Sequence, residues 1–109
     1  MMLAIVDDLL FRGKLEATAA KLGTPLTIAA DAGPALRNGQ WSRVLIDLNL
    51  SSGDALAMVR KIRAVHPGIA VIGFCSHVQQ DLRQRALEAG CAQVLPRSAF
   101  VQQLPELLR

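Results

Sequence analysis

Five short apolar runs, each closed by a turn signal, constrain this chain more than any other feature. They are Met2–Val6, Leu26–Ala30, Arg43–Leu48, Ile69–Phe74 and Ala92–Leu95. Each is too short for a helix and apolar at successive positions, as strands covered on both faces are. The second is the weakest, since alanine dominates it.

The segments between them read as helices. Leu10–Leu22 sets Leu15, Ala19 and Leu22 on one face, with Gly23 where a C-cap glycine belongs. Asp54–Val65 opens on an N-cap residue, turns Leu56, Val59 and Ile62 inward, and stops at His66-Pro67-Gly68. Val78–Ala89 sends Leu82, Ala86 and Leu87 inward and ends at Gly90. Ser98 is placed to cap a last helix carrying Phe100, Val101, Leu104 and Leu108, in which Pro105 predicts a kink or an early stop. Asp31–Ser42 holds Gly33, Pro34, Asn38 and Gly39, leaving room for one or two helical turns, with Trp41 available to fill the space left over.

Strand and helix alternating in this way predict an α/β chain, a doubly wound three-layer sandwich on a five-stranded parallel sheet. A length of 109 residues suits one domain, residues 1–109. The 51% hydrophobic content and two cysteines exclude a disordered tail and a disulfide-stapled miniature. No apolar run has the length of a membrane span, and MMLAIVDDLL lacks a signal peptide's basic start. A cytoplasmic location is therefore expected.

In such folds ligands bind beyond the C-terminal ends of the strands. Asp7 and Asp8 follow the first run, Asp47 and Asn49 close the third, Cys75, Ser76 and His77 follow the fourth, and Arg97 follows the last. Three carboxylates are thus expected to converge on one crevice, where their mutual repulsion calls for a cation. An oxygen-only donor set of this kind suits Mg²⁺.

These stretches, AIVDDLLF, VLIDLNLSSGDALAMVRKIR, AVIGFCSH and RALEAGCAQVLPRSAF, resemble the receiver domains of bacterial two-component response regulators. The resemblance runs along essentially the whole chain. It implies the flavodoxin-like strand order 2-1-3-4-5, with a shortened second helix. It implies that Asp47 is the phospho-acceptor, and that Asp7, Asp8, Asp47 and the Asn49 backbone carbonyl hold Mg²⁺. The implied partner is a histidine kinase or phosphotransfer protein that supplies the phosphoryl group. No effector is evident in the chain, so output is expected through protein contacts rather than catalysis. The surface implied for them includes Arg83, Arg97, Phe100 and Gln103.

The resemblance breaks at the switch positions. Where the family carries Thr or Ser after the fourth strand, this chain has Cys75, with the hydroxyl of Ser76 one residue later and so on the other face unless the strand bulges. A thiol is a weak donor to phosphate. The family's Lys falls on Arg97, which keeps the charge but spreads it over a planar fork. Ser98 and Ser51 stand where prolines are common, and Ala55 where a Gly is usual. A pseudo-receiver that works by contact without phosphorylation is therefore the alternative.

Other readings carry less. Cys75 and Cys91 lie at opposite ends of neighbouring strands, too far apart for a disulfide. Arg60, Lys61, Arg63, Arg83 and Arg85, with a net charge of +3, raise a basic nucleic-acid-binding module. Aromatics for stacking are scarce at 4%, so nucleic acid is not the expected partner. Setting the three pocket acids aside leaves 12 basic residues facing six acidic ones. That balance suits a downstream protein with an acidic surface, met by a monomer or weak homodimer.

Overall fold

The computed structural model describes residues 2–37, 40–76 and 79–109. Its elements run β1 (Met2–Ile5), α1 (Leu9–Leu22), β2 (Leu26–Ala29), α2 (Gly33–Arg37), β3 (Arg43–Asp47), α3 (Ala55–Val65), β4 (Ala70–Cys75), α4 (Gln80–Ala89), β5 (Gln93–Pro96) and α5 (Arg97–Leu107). The five strands are parallel, in the order β2-β1-β3-β4-β5. This is the expected doubly wound sandwich, with strand boundaries within one residue of those read from the apolar runs.

Alternation along the strands divides the core in two. Leu3, Ile5, Val44, Ile46, Val71, Cys75 and Val94 pack with the buried residues of α2, α3 and α4. Met2, Ala4, Val6, Leu45, Ile72 and Phe74 face the buried residues of α1 and α5. The register sets Ile5 beside Ile46, Asp47 beside Phe74 and Cys75 beside Pro96, so the strands end in one row. Strand order reverses at β1, so Asp7, Asp8 and Asp47 flank the crevice between β1 and β3.

The short α2 and Trp41 behave as expected. Trp41 is buried, and its indole Nε1–H donates to the Pro34 carbonyl at 3.1 Å. Arg63 is not part of an open basic face, because its guanidinium donates to the carbonyls of Pro67 and Ile69 and holds the α3–β4 turn. Ser98 does not cap the last helix. The helix starts at Arg97, directly after β5, with Pro96 in the N-cap position, and Ser98 sits exposed in its first turn. Pro105 brings the helix to an end two residues later, where the Leu108 N–H bonds to Leu104 and the Arg43 guanidinium takes the Leu107 carbonyl. Val78, the first residue expected in the fourth helix, lies outside the described residues, as does His77, and Gln79 takes the N-cap position.

Gly23 and Gly90 close α1 and α4 at positive φ, +69° and +125°. At Gly90 a Cβ would also stand 2.6 Å from Arg63 Cγ, whereas at Gly23 it would meet nothing within 4 Å. Gly23→Ala should therefore cost about 1 kcal/mol, the left-handed penalty alone. Gly90→Ala should cost distinctly more, since the backbone penalty and the displaced Arg63 add. Urea unfolding of the two variants checks the order, and equal midpoints would contradict it.

Candidate functional site at the strand ends

Asp47 is the one buried charged residue among those described, with 2% of its surface exposed. Its Oδ1 accepts the Asn49 N–H at 2.8 Å, and its Oδ2 lies 3.4 Å from Arg97 Nη2. Burial pushes its pKa upward; the Asn49 N–H and Arg97 pull it down, and the charges of Asp7 and Asp8 raise it further. Asp7 and Asp8 are thus both close enough to act on Asp47.

They do not, however, converge as a ready-made cage. Among the described residues no three acidic, His or Cys side chains gather closely enough to hold a metal ion. Asp7 is turned to the β3–α3 loop, where its Oδ2 accepts from Ser51 N, Ser51 Oγ and Ser52 N at 2.9–3.0 Å. Bonding to Ser52 holds its carboxyl below the ordinary value; burial, the next effect in size, opposes this, and bonding to Ser51 adds to the lowering. Asp8 caps α1, its Oδ1 accepting from Leu10 and Phe11 N–H at 3.0 and 3.2 Å, while its Oδ2 lies 3.8 Å from Arg97 Nη1. The expected convergence of three carboxylates is realised as a pair sharing Arg97, with the third set aside on a loop.

Arg97 has an unexpected support. Its guanidinium carbon stands 4.8 Å from the centre of the Phe11 ring and 5.9 Å from that of Phe74. Phe11, Phe74 and Phe100, the three phenylalanines of the chain, stack into one buried cluster with centroids 4.1–6.0 Å apart. Phe100 is fully buried there, so it is not part of a partner surface; its side chain projects from α5 to the sheet. Arg97 faces the acids, leaving Arg83 and Gln103 as the exposed members of the expected surface.

The Asn49 side chain, which carried no expectation, makes two contacts of its own. Its side-chain Oδ1 accepts Ser76 N–H at 2.7 Å and its Nδ2 donates to Gln79 Oε1 at 3.1 Å, tying the ends of β3 and β4 together. Cys75 is buried in the α3–α4 side of the core and lines a pocket of roughly 150 Å³ with Arg83 and Val94. Ser76 is exposed at the strand end. Sequence reasoning missed Ser52, Gln79 and Phe11. Ser51 did carry a signal, because a proline there would lack the N–H that Asp7 accepts.

The donor set fits Mg²⁺. Carboxylates outnumber the guanidinium, every donor is oxygen, and each acid keeps one oxygen that no main-chain N–H occupies.

No family model matches the chain, and no curated protein matches it in sequence. Solved structures do match it. The receiver domain of a sensor histidine kinase from Pseudomonas aeruginosa, with magnesium coordinated in its active-site cleft, is 25% identical, with a TM-score of 0.77 over 98% of this chain and 95% of that one. A response regulator from Burkholderia pseudomallei, with a phosphorylated aspartic acid, calcium ion and citrate, is 18% identical with a TM-score of 0.84. This chain is covered over 99% of its length in that match and spans 65% of that protein. A CheY-like receiver domain from Methanospirillum hungatei is 20% identical with a TM-score of 0.83, over 96% of this chain and 86% of that one. The fold is that of the response-regulator receiver domains. Among the described residues no helix is long and apolar enough to cross a membrane.

Two predictions follow from this geometry. A group whose pKa is raised by folding stabilises the fold below its ordinary pKa, and that contribution is lost as pH rises through the folded value. Asp47 behaves in this way, and Asp7, being lowered, in the opposite way. Asp47→Asn should thus raise the melting temperature at neutral pH by roughly 5 °C, for about 1 kcal/mol. The gain should shrink as pH falls from neutral into the acid range, because burial raises the pKa of wild-type Asp47 and it takes up its proton there more readily than a free carboxylate. A gain that stays constant across thermal melts over this range would contradict the burial argument. Separately, Cys75 and Cys91 are both buried, and burial pushes the Cys91 thiol up to about 11. A thiol reagent at neutral pH should label neither until denaturant is added. Rapid labelling of the native chain would refute this.

Proposed function

We propose that the chain is a phosphorylatable receiver domain in which Asp47 accepts a phosphoryl group, with its signal passed on by protein contact. The observation that carries this reading is Asp47 itself: a buried carboxylate at the β3 terminus, one oxygen fixed by Asn49 N–H and the other turned to a cation. Oδ2 is the nucleophile. As its bond to phosphorus forms, the phosphorus–nitrogen bond of a donor phosphohistidine breaks and the electron pair stays with the imidazole. Arg97 is placed to meet the charge that develops on the transferring oxygens. Asp7, Asp8, Asp47 and the Asn49 carbonyl would hold Mg²⁺, which supplies charge neutralisation at phosphorus when bound. The magnesium in the Pseudomonas aeruginosa receiver and the phosphorylated aspartic acid in the Burkholderia pseudomallei regulator support this assignment.

The donor is a histidine kinase or phosphotransfer protein. The downstream partner is a protein with an acidic surface, approaching exposed Arg83 on α4 and Gln103 on α5. Incubation with Mg²⁺ and a small phosphodonor, followed by intact-mass measurement, should show one phosphoryl adduct on wild type and none on Asp47→Asn. No adduct, or equal adducts on both, overturns the reading.

One observation favours a second reading. Asp7 Oδ2 takes three hydrogen bonds from the Ser51–Ser52 loop and Arg97 already neutralises part of the pocket, which suits a receiver-like module signalling by contact alone. In that case partner binding survives Asp47→Asn unchanged and the wild-type mass does not change.

A further inference from the structure

We propose that Phe11 is a positioning residue: its ring holds the Arg97 guanidinium between Asp8 and Asp47 as a built-in cation that competes with a divalent metal. The inference rests on reading these two acids as the metal-binding pair.

Arg97 reaches both carboxylates, Nη1 to Asp8 Oδ2 at 3.8 Å and Nη2 to Asp47 Oδ2 at 3.4 Å. These are long contacts, so the carboxylates alone do not clamp the side chain. The face of Phe11 lies 4.8 Å away, and a planar, weakly hydrated guanidinium is drawn to the negative face of an aromatic ring. Phe11 cannot swing aside, because it is buried against Phe74 and Phe100, which stack at 4.1 Å. Its backbone is fixed as well, since Phe11 N–H donates to Asp8 Oδ1 while Asp8 Oδ2 faces Arg97. Asp8, Phe11 and Arg97 therefore form a closed triangle over Asp47. The Arg97 Nε is buried without a hydrogen-bond partner, so the ring, not a further polar contact, holds that end of the group. A lysine could reach the acids but could not lie flat on the ring. The two oxygens that Arg97 meets are those the main chain leaves open on Asp8 and Asp47, the same oxygens a divalent ion would take.

Calorimetric titration with Mg²⁺ alone tests this, with no phosphodonor present. Phe11→Leu and Arg97→Ala should each tighten Mg²⁺ binding several-fold relative to wild type, and the double variant should bind no more tightly than Arg97→Ala. Unchanged affinity in either single variant overturns the proposal. An equal effect of Phe11→Leu with and without Arg97 does the same, since Phe11 would then act by some other route. Should Phe11→Leu not fold, the wild-type Arg97 Nε–H resonance carries the test. It should lie upfield under the ring current and move toward the other arginines as Mg²⁺ is added; a resonance indifferent to Mg²⁺ refutes the competition. A chain that meets these expectations yet never gains a phosphoryl group overturns the proposed function alone.

Discussion

A single buried carboxylate sets the terms for the rest of this site. Asp47 closes β3 in the middle of the sheet, where water is nearly excluded and an unpaired charge is costly. It persists there because two partners arrive from different directions: the Asn49 N–H, supplied by the turn immediately after the strand, and Arg97, supplied by the first residue of α5. The first is local, two residues on, whereas Arg97 comes from fifty residues away. The parallel register brings the ends of β3 and β5 into one row, and the fold thereby turns a destabilising group into an addressable one.

The neighbouring strand ends are tied to this point in turn. Asn49 donates its backbone to Asp47 and spends its side chain on Ser76 and Gln79, so β3 and β4 terminate as a unit. Asp7 fastens the loop that leads into α3. These polar links join distant parts of the chain, and each is individually worth little in water. Their effect is positional: they hold the carboxylates at the mouth of a crevice that the strand reversal at β1 creates.

Much of this was legible in the sequence. Buried parallel strands announce themselves as continuous apolar runs, and strand-end acids are visible as soon as the runs are bounded. Asp47, Asp8 and Arg97 were found in that way, and the structure brings them together. What escaped was side-chain direction in segments without periodicity. Nothing in the order Asp7-Asp8 says that the first carboxylate turns to Ser51 and Ser52 while the second caps a helix. Phe100 was misplaced for a different reason. It was assigned by the element it sits on, although Phe100, Leu104 and Leu107 mark the inward face of α5 by their spacing.

An arginine at position 97 follows a consistent physical logic with the residue at position 11. A compact ammonium needs no platform, being hydrated and mobile, and gives way readily to an incoming cation. A guanidinium is bulky and planar, and must be stored somewhere flat. Phe11 provides that surface, and the two phenylalanines beneath it make the surface rigid. The aromatic cluster that fills the α1–α5 side of the core therefore extends to the polar crevice, so that packing on one face of the sheet sets the electrostatics at its end. In this chain the hydrophobic core and the charged site share a side chain's width of boundary, and Arg97 lies along it.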